Sequence, residues 1–85
     1  MHILDVRTKE EFEAGHIEGA ELFDIMDIMQ GELPQVSLDT PLLLYCESGN
    51  RAMMAKTLLE QEEYTNVVNG GGLEEMTAKG YKLIQ

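Results

Sequence analysis

Eighty-five residues leave room for one domain, spanning 1–85, with a modest core, because a chain of this size buries only about 60–65% of its extended surface. Hydrophobic residues make up 44%, ordinary for a globular chain, and the longest apolar run is too short to cross a membrane. Sixteen acidic against six basic residues give a net charge of −10. That charge repels nucleic acid and anionic membrane, and it makes a small anionic substrate awkward unless the site creates its own positive field.

A single cysteine excludes an intramolecular disulfide and says little about redox compartment. Met1 to Asp5 enters a strand-like run without a basic, hydrophobic leader. A cytoplasmic location is therefore expected for the chain as written, and a periplasmic one if Met1 replaces a removed signal peptide.

His2 to Val6 reads as a buried strand. Thr8 caps a helix over Lys9–Ala14, with Glu11 reaching back in a capping box, and Gly15 ends it. His16 to Ala20 is a turn leading into a brief strand at Glu21–Leu22. A second helix is expected over Asp24–Gln30, with Ile25, Ile28 and Met29 on one face. Gly31 to Pro41 is a polar connection anchored by Leu33, Val36 and Leu38. Leu42 to Tyr45 is a fully buried strand, and Arg51 to Glu62 a helix packed through Ala55, Leu58 and Leu59. Asn66–Val68 is a third buried strand, Asn69–Gly72 a flexible turn, and Leu73–Ala78 a last helix stopped by Gly80. Tyr81, Leu83 and Ile84 pack the tail down. Strands alternating with helices predict an α/β fold with a mostly parallel sheet covered on both faces.

The chemistry concentrates between Leu42 and Ala52. Cys46, the only cysteine, ends a buried strand and faces a Ser48-Gly49-Asn50 turn into a helix. The carboxyl end of a strand opposite a helix N-terminus is where open α/β folds bind ligands. Thiols ionise near pH 8.5 in water, and helix N-termini or cations lower that value. Here the N–H groups of Glu47 through Arg51 are expected to curl around the sulfur, and Arg51 supplies the single nearby cation. Taken alone, Cys46 reads as one more small residue closing a core strand. The strand end, glycine turn, arginine and helix start together favour a nucleophile or sulfur carrier.

Other groups read as structural. Asp5 and Arg7 lie at the end of the first strand and are expected to tie it ionically to the Gly15–Gly19 turn. His16 is a candidate general base, but its turn context favours a hydrogen-bonded framework role. His2, His16, Cys46 and Asp5 have no metal-ligand spacing, so no metal or cofactor is expected. Met26, Met29, Met53, Met54 and Met76 read as core or rim packing, with Met53 or Met54 forming a soft docking patch if exposed near the site mouth. Gly70-Gly71-Gly72 lacks the lysine of a phosphate loop.

Leu4-Asp5-Val6-Arg7, Glu11-Phe12, Gly15-His16-Ile17-Glu18-Gly19-Ala20, Tyr45-Cys46 with its glycine loop, and Tyr64 through Gly71 together resemble a single-domain rhodanese. The likeness is strongest to the short phage-shock-type thiosulfate sulfurtransferases and covers nearly the whole chain. The resemblance implies a rhodanese-like three-layer α/β/α fold with about four strands, lacking the leading strand and helix of longer relatives. It implies that Cys46 takes a sulfane sulfur from thiosulfate or another donor as a persulfide and passes it to cyanide, a thiol or an acceptor protein. Glu47, Ser48, Gly49, Asn50 and Arg51 would then cradle the sulfur, with Asp5, Arg7 and His16 as framework. Four residues separate Cys46 from Arg51, whereas cysteine-dependent phosphatases and arsenate reductases of this fold have five; that spacing disfavours them. A non-catalytic persulfide carrier or anion-sensing interaction domain is the other alternative. Glu47 departs from the more basic loops of thiosulfate-adapted relatives, and Ala52 replaces a common Ser or Thr. Both departures point away from thiosulfate as an efficient donor.

Overall fold

The computed structural model describes residues 1–85. Its centre is a four-stranded, all-parallel sheet in the order β3-β1-β4-β5, built from β1 (His2–Asp5), β3 (Ala20–Leu22), β4 (Leu42–Cys46) and β5 (Val67–Gly72). β4 lies inside the sheet with both faces covered, and all five of its residues are buried, as its unbroken apolar run requires. Successive strand residues point to opposite faces. Leu4, Val6, Leu42, Leu44 and Cys46 therefore meet one layer, formed by α2 (Ile25–Met29) and α3 (Asn50–Gln61), through Ile25, Ile28, Ala52, Ala55 and Leu59. Leu43 and Tyr45 meet the other, formed by Met76 of α4 (Leu73–Ala78) and Ile17 of β2 (His16–Ile17). The three-layer α/β/α architecture is as expected.

Local signals set the helix starts. Thr8 and Glu11 complete the capping box of α1 (Lys9–Ala14), and the Asp24 carboxylate accepts from the Met26 N–H at the start of α2 (2.9 Å). Met29 does not share the buried face of α2: it is exposed, because five helical residues present only Ile25 and Ile28 to the core. Leu38 is likewise exposed, while Leu33 and Val36 do pack against the core. His16–Ile17 is more than a turn. It pairs antiparallel with β6 (Leu83–Ile84), so the tail is held by a second small sheet.

The largest correction concerns Asn69–Gly72. It is not a flexible turn; it continues β5, with a register shift against β4 between Leu44 and Cys46. The glycines are there for closeness. A Cβ on Gly70 would lie 2.7 Å from the Met76 Sδ and 3.1 Å from the Leu44 carbonyl oxygen. One on Gly72 would lie 2.3 Å from the Glu47 carbonyl oxygen, a backbone atom with nowhere to go.

At the carboxyl edge of the sheet stands a buried ionic cluster. Asp5 accepts from Arg7 through its backbone N–H (3.0 Å), Nε (2.9 Å) and Nη2 (2.7 Å), and from the Tyr45 hydroxyl (2.7 Å). Arg7 Nη2 also donates to the Gly15 carbonyl (2.7 Å), and the Ile17 N–H donates to the Tyr45 hydroxyl oxygen (2.9 Å). Asp5 holds the Arg7 guanidinium even more firmly protonated than usual, and burial pushes the Tyr45 hydroxyl well above its ordinary range.

Removing one charge of a buried pair leaves the other uncompensated, at a cost of about 3–5 kcal/mol. D5N is expected to lower stability by about 3 kcal/mol, read as a fall in the urea midpoint at neutral pH; an unchanged midpoint would show that Arg7 finds its counter-charge elsewhere. G72A forces backbone apart at the Glu47 contact and is expected to cost about 1–3 kcal/mol by the same measurement. A native-like midpoint would mean that the strand yields there.

Candidate functional site

β4 delivers Cys46 to the edge of the sheet, and the chain then folds over it. Cys46 is 1% exposed, and its Sγ accepts from the backbone N–H of Gly49 (3.0 Å) and of Ala52 (3.4 Å). The cradle is thus narrower than a ring of donors from Glu47 to Arg51: Gly49 supplies one contact, and the other comes from Ala52, one residue beyond that span. Gly49 is the N-cap of α3 at φ +97°, a left-handed conformation that glycine adopts without strain. Its N–H turns back onto the sulfur while its carbonyl accepts the first helical bond from Met53 (3.0 Å). α3, twelve residues long, directs its dipole at the same atom.

The loop rests on the glycine strand. Ser48 bridges to Gly72 in antiparallel fashion, and a Cβ on Gly49 would meet the Gly71 Cα at 3.3 Å. Asn69 Nδ2 donates to the Gly49 carbonyl (3.2 Å), while its Oδ1 accepts from the Gly71 N–H (2.8 Å). Asn69 therefore holds both the loop and the strand that supports it. The Gly72 N–H donates to Glu75 Oε1 at the start of α4 (2.8 Å).

Arg51 is neither a free cation nor the sole one nearby. Its Nη1 and Nη2 donate to Glu11 Oε1 (2.7 Å) and Oε2 (2.9 Å) in a two-pronged pair. That pairing holds the Glu11 carboxyl down to about 2, and Glu11 in turn raises Arg51. A second guanidinium, Arg7, reaches the loop through Nη1 to Glu47 Oε1 (3.3 Å). The Glu47 side chain is 61% exposed, so it faces solvent and Arg7 rather than the sulfur.

Ser48 and Asn50 are exposed on the outer side of the loop, where a depression of about 380 Å³ is lined by both and by Met53, Asn69, Glu75 and Lys79. Lys79 Nζ donates to the Gly70 carbonyl (3.1 Å). His16 is held in the framework, its Nδ1 2.9 Å from the Phe12 carbonyl and its ring stacked on Phe12. Asp5 and Arg7 approach the site only through Glu47. No group of three or more His, Cys, Asp or Glu side chains stands close enough together to hold a metal ion.

Glu11, Asn69 and Glu75 were not read from the sequence as site residues. The capping box accounted fully for Glu11, and its reach to Arg51, forty residues away, leaves no local signal. Asn69 had one available sign: a carboxamide directly before three glycines fits a backbone brace better than a free turn.

Residues 1–79 match the family model described as Rhodanese-like domain. The chain is 29% identical over 76 residues to the thiosulfate sulfurtransferase PspE of Escherichia coli strain K12, covering 88% of this chain and 73% of that protein. It is 30% identical over 84 residues to the putative sulfur carrier protein YrkF of Bacillus subtilis, covering 93% of this chain but only 43% of that longer protein. Among solved structures, the rhodanese-like domain of the Alr3790 protein from Anabaena superposes with a TM-score of 0.87 at 26% identity, over 100% of this chain and 99% of that one. Fold, strand-end cysteine and a family match over almost the full length agree, and the chain belongs to the rhodanese-like domain family.

Proposed function

We propose that this protein is a sulfurtransferase in which Cys46 carries the transferred sulfur as a persulfide. The observation that carries the reading is the pair of N–H donors, from Gly49 and Ala52, aimed at the Cys46 Sγ at the start of α3. Fixed backbone dipoles at that atom suit the Cys46 thiolate, both when it attacks the donor and when it leaves as the outer sulfur passes to an acceptor. The kinship with PspE and the four-residue gap to Arg51 support the same chemistry.

With thiosulfate as donor, the Cys46 thiolate attacks the outer sulfur, and a new S–S bond forms. The bond from that sulfur to the sulfite group breaks, and sulfite leaves with the electron pair. An acceptor thiolate then attacks the terminal persulfide sulfur, and the Cys46 thiolate is the leaving group. Neither half-reaction needs an external oxidant or reductant. The sulfur lies under the loop, and a donor approaches it past the exposed Glu47, Ser48 and Asn50.

A second reading has its own observation. Met53 and Met54 are both exposed on the first turns of α3 beside the loop, a soft patch of the kind that receives a partner, and YrkF is described as a sulfur carrier. On that reading the chain holds persulfide for a protein acceptor with little turnover of small molecules.

Incubation with sulfane donors followed by intact-mass measurement separates the outcomes. The native chain is expected to gain about 32 Da, one sulfur atom, and C46S to gain none. Absence of the adduct with both thiosulfate and a thiol persulfide would refute sulfur carriage. Continuous release of product with cyanide or a small thiol marks the enzyme; one loading event without turnover marks the carrier.

A further inference from the structure

Both guanidiniums around the loop are already paired. Arg51 gives both terminal nitrogens to Glu11, and the outer nitrogen of Arg7 goes to Glu47 while its inner ones are held by Asp5. The mouth of the site therefore presents two guanidiniums against three carboxylates. Lys79, in no ion pair, donates to the Gly70 carbonyl across the glycine strand, and Glu75 lines the same depression. Around this neutralised site the whole chain carries −10. A dianion approaching Cys46 meets no unpaired guanidinium and a repulsive long-range field.

We propose that Glu11 and Glu47 select the donor: by occupying Arg51 and Arg7 they set the site against dianionic thiosulfate and in favour of a low-molecular-weight thiol persulfide. The inference rests on the sulfurtransferase reading. In this transfer the Cys46 thiolate attacks the outer sulfur of the persulfide, its S–S bond breaks, and the donor's thiolate leaves with the electron pair. The outer sulfur keeps its proton, and one negative charge enters and leaves the step. Two N–H donors and a helix dipole serve such a reaction without a free cation. Thiosulfate transfer must accommodate three negative charges together, and that is where a released guanidinium would act. Glu11 works through Arg51 and Glu47 through Arg7, so both are positioning residues for the donor.

The test loads Cys46 with thiosulfate or with cysteine persulfide, each at matched concentration, and follows the gain of one sulfur by intact mass over time. The readout is the ratio of the two initial rates. The native chain is expected to favour the persulfide. E11Q, whose carboxamide oxygen can still accept from the Thr8 N–H, is expected to move the ratio toward thiosulfate by about tenfold, and added salt should shrink that gap. E47Q removes a charge from an exposed loop position outside any helix. It is expected to shift the ratio the same way by several-fold, so the test stands even if E11Q folds poorly. Ratios in both variants equal to the native ratio, or a native preference for thiosulfate, would overturn donor selection while leaving sulfur carriage intact. Failure of the native chain to load from either donor would overturn sulfur carriage and this inference together.

Discussion

The carboxylate of Asp5 collects the end of β1, the side chain of Arg7, the hydroxyl of Tyr45 and, through Arg7, the carbonyl of Gly15. Burying such a cluster gains little net stability over a well-packed apolar one. Its effect is geometric. Tyr45 and Cys46 are neighbours on a strand, so their side chains point to opposite faces. When the Tyr45 hydroxyl is fixed between Asp5 and the Ile17 N–H on one side of the sheet, the Cys46 sulfur is committed to the other, where α3 begins. An uncharged core would leave the twist at this strand end to packing alone. The cluster sets it with directed bonds.

From that fixed point the loop needs support from beneath, and β5 provides it through the three glycines at its end. Gly70 and Gly72 let backbone lie on backbone, with the Leu44 and Glu47 carbonyls where ordinary residues would place Cβ atoms, and the Gly49 turn lies on the Gly71 Cα. Asn69 then ties strand and loop together from both ends of its carboxamide. A glycine-rich segment is easily taken for slack chain. Here Gly70 and Gly72 are points of close contact and Gly71 takes a left-handed φ of +91°, and the register shift opposite Cys46 is what brings Gly72 under Ser48.

This contrast explains what was legible in the sequence. The α/β class, the central buried strand and the Thr8–Glu11 cap rest on signals that lie within a few residues of each other, and periodicity or capping chemistry exposes them. Cys46 was legible for the same reason: strand, turn and helix start are contiguous. Met29 was misplaced because the pattern of a short helix is satisfied by two residues, leaving the third unconstrained. Asn69–Gly72 was misread because glycine composition alone does not separate freedom of φ from closeness of approach; only the partner strand and the loop above it do. The Glu11–Arg51 pair is a contact between the first helix and the start of the third, invisible until the fold closes.

That pair also changes what the site is electrostatically. An arginine five positions after a reactive cysteine reads in sequence as an anion receptor, but a guanidinium bound at both ends to a carboxylate has spent most of its field on its partner. The same holds for Arg7 with Asp5 and Glu47. What remains at the sulfur is the directional stabilisation of two N–H groups and a helix start, short in range and indifferent to the net charge of the incoming molecule. Backbone dipoles stabilise charge at one atom, whereas free cations draw in whole anions from a distance. On the proposed sulfurtransferase reading, a strongly acidic chain that stabilises its sulfur by the first means and cancels the second would handle sulfur according to the atom transferred, with the charge of the carrier counting against it.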